Sequence, residues 1–383
     1  MINPSEVNLS ELRSVPLEAR SQLPEAKTFA SLFTGFGLAD IGAMQAGLEP
    51  IWGVEIDPAI AEVAQSNLHH DIRVQSVLDC NPYHFEKPDV LWVSPPCTNF
   101  SVAKTDGKET ELDRQLATKI VDFLKVLKPQ TFILENVEAY KRSAALEFIE
   151  GALYGLGYWI DRQVLNSADF GVPQTRKRMI LRAVLGGMPQ PLPAPTKWVG
   201  WYAAIADLIP ALPESQFADW QLKRLPDALV QDCLADVAST ASTTRAFLLD
   251  RSRVALKAQG QTDWNDYFRE GDRPSYTICA AGSGGRTKAF IVDGTANDRG
   301  RTLTRRDECE PVFTIKASAS KQASRAWLEQ GRVVSMTSRA LARFQTLPDW
   351  YELNPSNSLS CKGIGNGVPC KFAEAIVRSG CGR

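Results

Sequence analysis

No stretch of eighteen consecutive apolar residues occurs in this 383-residue chain, so the sequence offers no segment for crossing a membrane as a helix. Metal binding finds as little support. The eight cysteines include no C-x-x-C pair, and the three histidines, His69, His70 and His84, lack ligand spacing. The expectation is no metal, free thiols in a cytoplasmic protein, and histidines that are ordinary surface residues. A charge excess of one sign is also missing. The formal net charge of −1 means that any surface for a polyanion must arise from local segregation. Residues Met1 to Glu25 are polar and of mixed charge, without the apolar core of a secretion signal.

What remains is a globular composition, 44% hydrophobic and 23% charged, in a chain long enough for two domains. Thr28 to Phe33 reads as a buried strand running into the turn Thr34-Gly35-Phe36-Gly37, and Leu38 to Ala46 has helical apolar spacing that stops at Gly47. Further strands are predicted over Pro50–Glu55, Arg73–Val77, Asp89–Val93, Phe132–Leu134, Tyr158–Leu165 and Met179–Val184. Helices are predicted over Pro58–Leu68, Leu112–Leu127 and Ser143–Leu156. Strands alternating with helices imply an α/β fold, a doubly wound and mostly parallel sheet that binds ligands at the carboxyl ends of its strands.

From Gly186 the pattern changes. MPQPLPAPTK (188–197) packs four prolines into ten residues and marks a boundary. The divisions expected are a polar extension at 1–26, a first domain at 27–190, a second, smaller one at 191–334, and a closing segment at 335–383 whose last helix returns to the first domain. The repeat P-x-[aromatic]-T-I at 274–278 and 311–315 suggests two short strands of one small sheet. Helical spacing resumes at Ser338–Phe344 and Lys371–Val377.

Chemistry-bearing residues gather at predicted strand ends. The glycine turn at 33–37 suits close backbone approach to a ligand. Glu55 lies eighteen residues after Gly37 and suits the two hydroxyls of a ribose, and Asp79 could accept from an adenine amino group. A nucleoside cofactor is the reading these three favour. Pro95-Pro96-Cys97 fixes the backbone just before a thiol. A reactive thiol needs cationic company, for which Arg176 and Arg178 in Q-T-R-K-R (174–178) are the candidates. Glu135 ends the next strand on the same sheet edge, where its carboxyl group could serve acid catalysis or cap a helix.

The motifs F-T-G-F-G, V-E-I-D, P-P-C, E-N-V, Q-T-R-K-R, R-x-L-A-R-F-Q-x-L-P-D (339–349) and G-N-G-V-P (365–369) together resemble the cytosine-C5 DNA methyltransferase family, over residues 28–186 and 335–378. The resemblance implies a Rossmann-like sheet that binds S-adenosylmethionine (SAM), and a target-recognition region in between that grips double-stranded DNA. It implies Cys97 as nucleophile, Glu135 as the carboxyl group engaging the ring, and Arg178 with Arg176 as contacts to base and backbone. It implies a SAM site of Phe33, Gly35, Gly37, Glu55, Ile56, Asp79, Cys80, Pro96 and Asn366. Three positions depart from the family pattern. Leu38 stands where a second glycine is usual, Ile56 where an aromatic is frequent, and Gly367 where alanine or serine is usual.

The family chemistry accounts for these residue types. A thiolate adding at carbon 6 turns cytosine into an enamine whose carbon 5 can attack a sulfonium methyl. The target atom is inaccessible in a stacked duplex, so the base must be swung out. Between Arg273 and Arg343 stand thirteen basic and six acidic residues, a surplus of seven. Gln174, Arg286, Lys288, Arg299 and Arg301 are the expected DNA contacts, with Ala281–Lys288 as a basic recognition loop. The expected protein is a monomer with no membrane association, with a restriction endonuclease of the same specificity as a candidate companion. An RNA methyltransferase of the same fold is disfavoured by the length of the intervening region, which contains no Cys-Phe-Thr element. A catalytically silent DNA-binding protein, or use of a modified SAM, are the remaining alternatives.

Overall fold

A computed structural model describes residues 27–96, 109–215, 289–292, 305–315, 325–328 and 333–380. A seven-stranded sheet in the order β3-β2-β1-β4-β5-β7-β6 forms its centre. Its strands are β1 (Thr28–Leu32), β2 (Glu49–Glu55), β3 (Asp71–Val74), β4 (Val90–Val93), β5 (Thr131–Asn136), β6 (Tyr158–Asn166) and β7 (Lys177–Leu185). The first five are parallel, whereas β7 enters antiparallel between β5 and β6. All of β4 and β5 and nearly all of β1 are buried, because helices cover both faces of the sheet.

The helices between these strands are α1 (Leu38–Gln45), α2 (Pro58–Asn67), α3 (Glu111–Leu127) and α4 (Ala144–Gly155). Local chemistry sets their starts. Asp57 caps α2, accepting from Ala59 N and Ile60 N, with Pro58 in the first turn. Ser143 caps α4 by accepting from Leu146 N. At α3, Asp113 reaches back to accept from Thr110 N at 2.7 Å.

The third strand differs from the sequence expectation. It ends at Val74 rather than Val77, because Ser76 accepts from Leu78 N and turns the chain into a 3-10 helix, Val77–Asp79.

Four short antiparallel strands make a second sheet in the order β11-β10-β8-β9. They are β8 (Ala289–Val292), β9 (Arg305–Asp307), β10 (Arg325–Leu328) and β11 (Val333–Ser335). The segment Pro311–Ile315 is not among them, which corrects the expectation from the repeat. Val312 instead forms an isolated bridge to Gln174, beside β7 (residues 274–278 lie outside the described ones). A short helix α5 (Trp201–Ala204) precedes this sheet, and α6 (Ser338–Phe344), α7 (Asn357–Asn366) and α8 (Cys370–Gly380) follow it.

One buried cluster joins the two sheets. It runs from Phe36, Leu38 and Ile60 through Trp201, Val312 and Val334 to Phe344 and Ile364. The final helix α8 packs on α1, where Gly42 allows contact: a β-carbon there would lie 2.6 Å from Cys370 O. Among the described residues no helix is long and apolar enough to cross a membrane.

Candidate active site

Strand order reverses between β1 and β4, so their carboxyl ends border a crevice of the kind in which open α/β sheets hold ligands. The glycine turn leaves β1 on one side. Ser94-Pro95-Pro96 leaves β4 on the other, with Ser94 N donating to Leu32 O at 3.3 Å. Cys97 follows directly and lies outside the described residues, as do Arg286, Lys288, Arg299 and Arg301.

The β1 turn is conformationally unusual. Phe33 has φ 63°, a left-handed value rare outside glycine, and Gly35 and Gly37 follow at 59° and 71°. Open space surrounds the position a Gly35 β-carbon would take. Glu55, at the end of β2, accepts from Gly35 N at 2.9 Å and from Asp57 N at 2.8 Å, one with each carboxylate oxygen. A carboxylate has about four lone-pair positions, so both oxygens retain capacity for the hydroxyls of a ribose. Ile56 and Asp79 are exposed beside it. Asn366 is exposed at the end of α7. This open turn, with a fixed carboxylate and an exposed apolar side chain, fits the nucleoside end of SAM.

Cys80 contributes differently. Its side chain is buried, its sulfur accepts from Gln75 Nε2 at 3.0 Å, and burial pushes the thiol up. Pro96 is exposed, whereas Pro95 is buried.

Beneath the glycine turn lies a polar group that the sequence did not announce. Asp40 is wholly buried on α1, accepts from Ser31 Oγ at 3.0 Å, and faces His70 Nε2 at 3.1 Å. Ser31 Oγ also lies 2.8 Å from Thr34 Oγ1 in the turn itself. The His70 side chain is only 5% exposed, so the surface expectation holds for His69 and His84 but is wrong for His70. A buried carboxylate draws in whatever donor is within reach.

At the far side of the crevice, Glu135 and Arg178 meet. Glu135 pairs with Ile180 across the antiparallel β5–β7 ladder, so Arg178, two residues away, stands diagonally opposite on the same face. Arg178 Nε lies 2.9 Å from Glu135 Oε1, and both side chains are close to fully buried. Asn136 Nδ2 donates to Pro95 O at 3.1 Å, which ties the end of β5 to the loop that leads into Cys97. Pro95, Glu135 and Arg178 therefore belong to adjoining strand ends.

Arg176 and Gln174 point elsewhere. Arg176 is 2% exposed and donates through Nη1 to Ile315 O at 3.2 Å and through Nη2 to Gly365 O at 3.1 Å. Gln174 is fully buried, donates to Phe344 O at 3.4 Å, and accepts from Ile315 N at 3.2 Å. Both expected contacts to base or DNA are thus spent on the seam that joins β7 to the later segments. Strand pairing explains the split: Arg178 lies within β7, which pairs with β5, whereas Gln174 and Arg176 precede β7, where the chain bridges to Val312 instead.

Several arginines in the basic surplus are also engaged. Arg339 donates to Pro348 O and Tyr351 O, Arg343 pairs with Asp349 and Asp207, and Arg306 pairs with Glu310. The charge available for phosphate is accordingly smaller than the sequence count. A groove of about 940 Å³ lies between the proline-rich strap and α8, lined by Phe170, Lys197, Lys371 and Arg378 among others, and contains none of the expected site residues. Among the described residues no group of three or more His, Cys, Asp or Glu side chains is gathered as a metal ion would need.

Comparison with known proteins agrees with this geometry. The C-5 cytosine-specific DNA methylase family pattern matches residues 27–380. The Type II methyltransferase M.XorII of Xanthomonas oryzae pv. oryzae is 27% identical over 379 residues, covering 90% of this chain and 82% of that one. M.NgoFVII of Neisseria gonorrhoeae, also a Type II methyltransferase, is 31% identical over 359 residues, covering 91% and 85%. Among solved structures, the Entamoeba histolytica methyltransferase EhMeth aligns with TM-score 0.56 at 13% identity, covering 92% of this chain and 97% of that one, a likeness of fold. With its switch-point crevice, its strand-end residues and a family match over almost all of its length, the chain belongs to the C-5 cytosine-specific DNA methylases, SAM-dependent enzymes that methylate DNA cytosine.

Proposed function

We propose that the chain methylates carbon 5 of a cytosine swung out of double-stranded DNA, at a specific sequence, through a covalent bond from Cys97 to carbon 6. SAM, when bound, supplies an electrophilic methyl group on a sulfonium. The residues that would hold it are Phe33, Gly35 and Gly37 of the glycine turn, Glu55 and Ile56 at the end of β2, Asp79 and Asn366. The backbone at Cys80 and Pro96 completes that wall.

The chain's own groups carry the rest. Cys97, stiffened by the two prolines before it, adds as thiolate to carbon 6, and the ring electrons move toward nitrogen 3. As the base enters, Arg178 turns from Glu135 to the ring's carbonyl oxygen and neutralises charge there, which frees Glu135 to hold a proton against nitrogen 3. After carbon 5 is methylated, water takes its proton, the carbon 6–sulfur bond breaks to release the thiolate, and nitrogen 3 gives its proton back to Glu135. Arg176 acts here as a positioning residue through the seam it holds. Residues 191–334 would supply the grip on DNA, with Arg286, Lys288, Arg299 and Arg301 as phosphate or base contacts.

The observation that carries this reading is the Glu135–Arg178 pair on the strand next to Pro95, bound to that loop through Asn136. Bisulfite sequencing of plasmid DNA from cells expressing the wild type and Cys97→Ala tests it. Cytosines protected at one sequence by the wild type, and none by the variant, are expected. Equal protection by both would remove Cys97 from the mechanism, and no protection by a folded, SAM-binding wild type would remove DNA cytosine.

A further inference from the structure

Helix α7 meets the glycine turn and the start of α1 through two bare backbone positions, Gly363 and Gly367. They are four residues apart and so share one side of the helix end. A β-carbon on Gly363 would lie 2.4 Å from the Phe36 ring, and one on Gly367 would lie 2.7 Å from Leu38 Cδ2 and 3.3 Å from Gly363 O. Phe36 is 0% and Leu38 1% exposed, so neither side chain has solvent to swing into. Phe36 and Leu38 flank Gly37 and reach past it onto α7. The same contact is fastened at its edges, where Tyr351 OH donates to Phe36 O and Gln345 Nε2 donates to Ile364 O, each at 2.7 Å.

Asn366 stands directly before Gly367, and Gly37 directly before Leu38, at the end of the turn that holds Phe33 and Gly35. Two seated side chains therefore fix how far apart the two halves of the cofactor wall lie. Both 38 and 367 depart from the family pattern in opposite senses, a larger residue at the first and a smaller one at the second.

We infer that Leu38 and Gly367 are a matched pair of positioning residues that sets the width of the cofactor cleft. The inference rests on the cofactor reading given above. A close-packed contact does not absorb an added methyl without displacement, and here the displaced residue is the neighbour of Asn366. The pair therefore controls SAM affinity rather than the chemical step.

Equilibrium dialysis with SAM, and steady-state kinetics on the full-length enzyme, test this as a double-mutant cycle. Gly367→Ala should raise both the Kd and the KM for SAM about tenfold, while kcat at saturating SAM and the affinity for DNA hold. Leu38→Ala combined with Gly367→Ala removes the methyl groups in the way and should recover most of that loss. Wild-type affinity in Gly367→Ala, or a double variant in which the two losses simply add, overturns the pairing. Should Gly367→Ala fail to fold, the double variant decides alone: folded with near wild-type affinity supports the pairing, unfolded overturns it. A wild type that binds no SAM overturns the cofactor reading and the pairing with it, whereas a binding wild type with additive variants overturns the pairing alone.

Discussion

The two sheets were assembled on different terms. In the seven-stranded sheet, β1 pairs with β2 and β4 with β5 across one helix each, and the β1–β4 pairing joins these parallel units. In the four-stranded sheet, every pairing is antiparallel, each strand is three or four residues long, and β8 pairs with β10 across more than thirty residues. The first is built of repeated strand–helix–strand units with buried strands, and the second of short strands without that repeat. Beside the buried apolar cluster that joins them runs a polar seam: Thr175 N donates to Val312 O, Gln174 holds Ile315, and Arg176 holds Ile315 and Gly365. This short seam before β7 serves the later segments, while Arg178 at the start of β7 serves the larger sheet.

Separating these two jobs is the most direct way to break the comparison. Arg178→Ala leaves the nearly buried Glu135 carboxylate unpaired and should cost about 3 kcal/mol, confined to the larger sheet, while lowering kcat by about 10²–10³, the usual loss of one charge-stabilising donor. Single-turnover kinetics beside thermal unfolding would check it, and a large fall in Tm with unchanged kcat would reverse the assignment. Arg176→Met keeps most of the volume but leaves two buried carbonyls without their donor, and should cost about 3 kcal/mol. Hydrogen exchange should show amides of β8–β11 losing protection while those of β1–β5 keep theirs. Uniform loss across both sheets would mean that the seam is not their joint. Gln174→Ala removes the acceptor for Ile315 N and should cost about 1–2 kcal/mol, read by denaturant titration, with the same regional pattern.

The smallest effect belongs to an ion pair outside the seam. Lys362 donates to Asp57 at 2.6 Å and holds its carboxyl below the usual carboxylate range, but both groups are partly open to water. Asp57→Asn should change stability by no more than about 0.5 kcal/mol. A lowered carboxyl gives its contribution at pH values above the ordinary carboxylate range and loses it as pH falls through that range. Chemical denaturation at neutral and acidic pH would detect a larger or oppositely signed term.

Much of the larger sheet was legible from apolar runs and caps. The helix predicted over Ser338–Phe344 has those bounds, and those at 58–68 and 143–156 are off by a residue at their ends. Legibility failed where polar side chains compete with the backbone. Ser76 closed β3 early, and Asp40 pulled His70 out of solvent. It failed again where pairing is non-local, because Pro311–Ile315 looks like a strand of the small sheet but is captured by Gln174 and Thr175.

By itself, the sequence determined the order of chemistry-bearing residues along the chain and the side of the sheet on which they end, since apolar periodicity and glycine turns act within a few residues. Tertiary structure alone decided which of those residues share a point in space. Antiparallel entry of β7 brought Arg178 to Glu135 and sent Arg176 into the seam, and the seating of Leu38 on Gly367 joined positions more than three hundred residues apart. Strand pairing and close packing make such choices, and both depend on a partner strand or helix that no local pattern names.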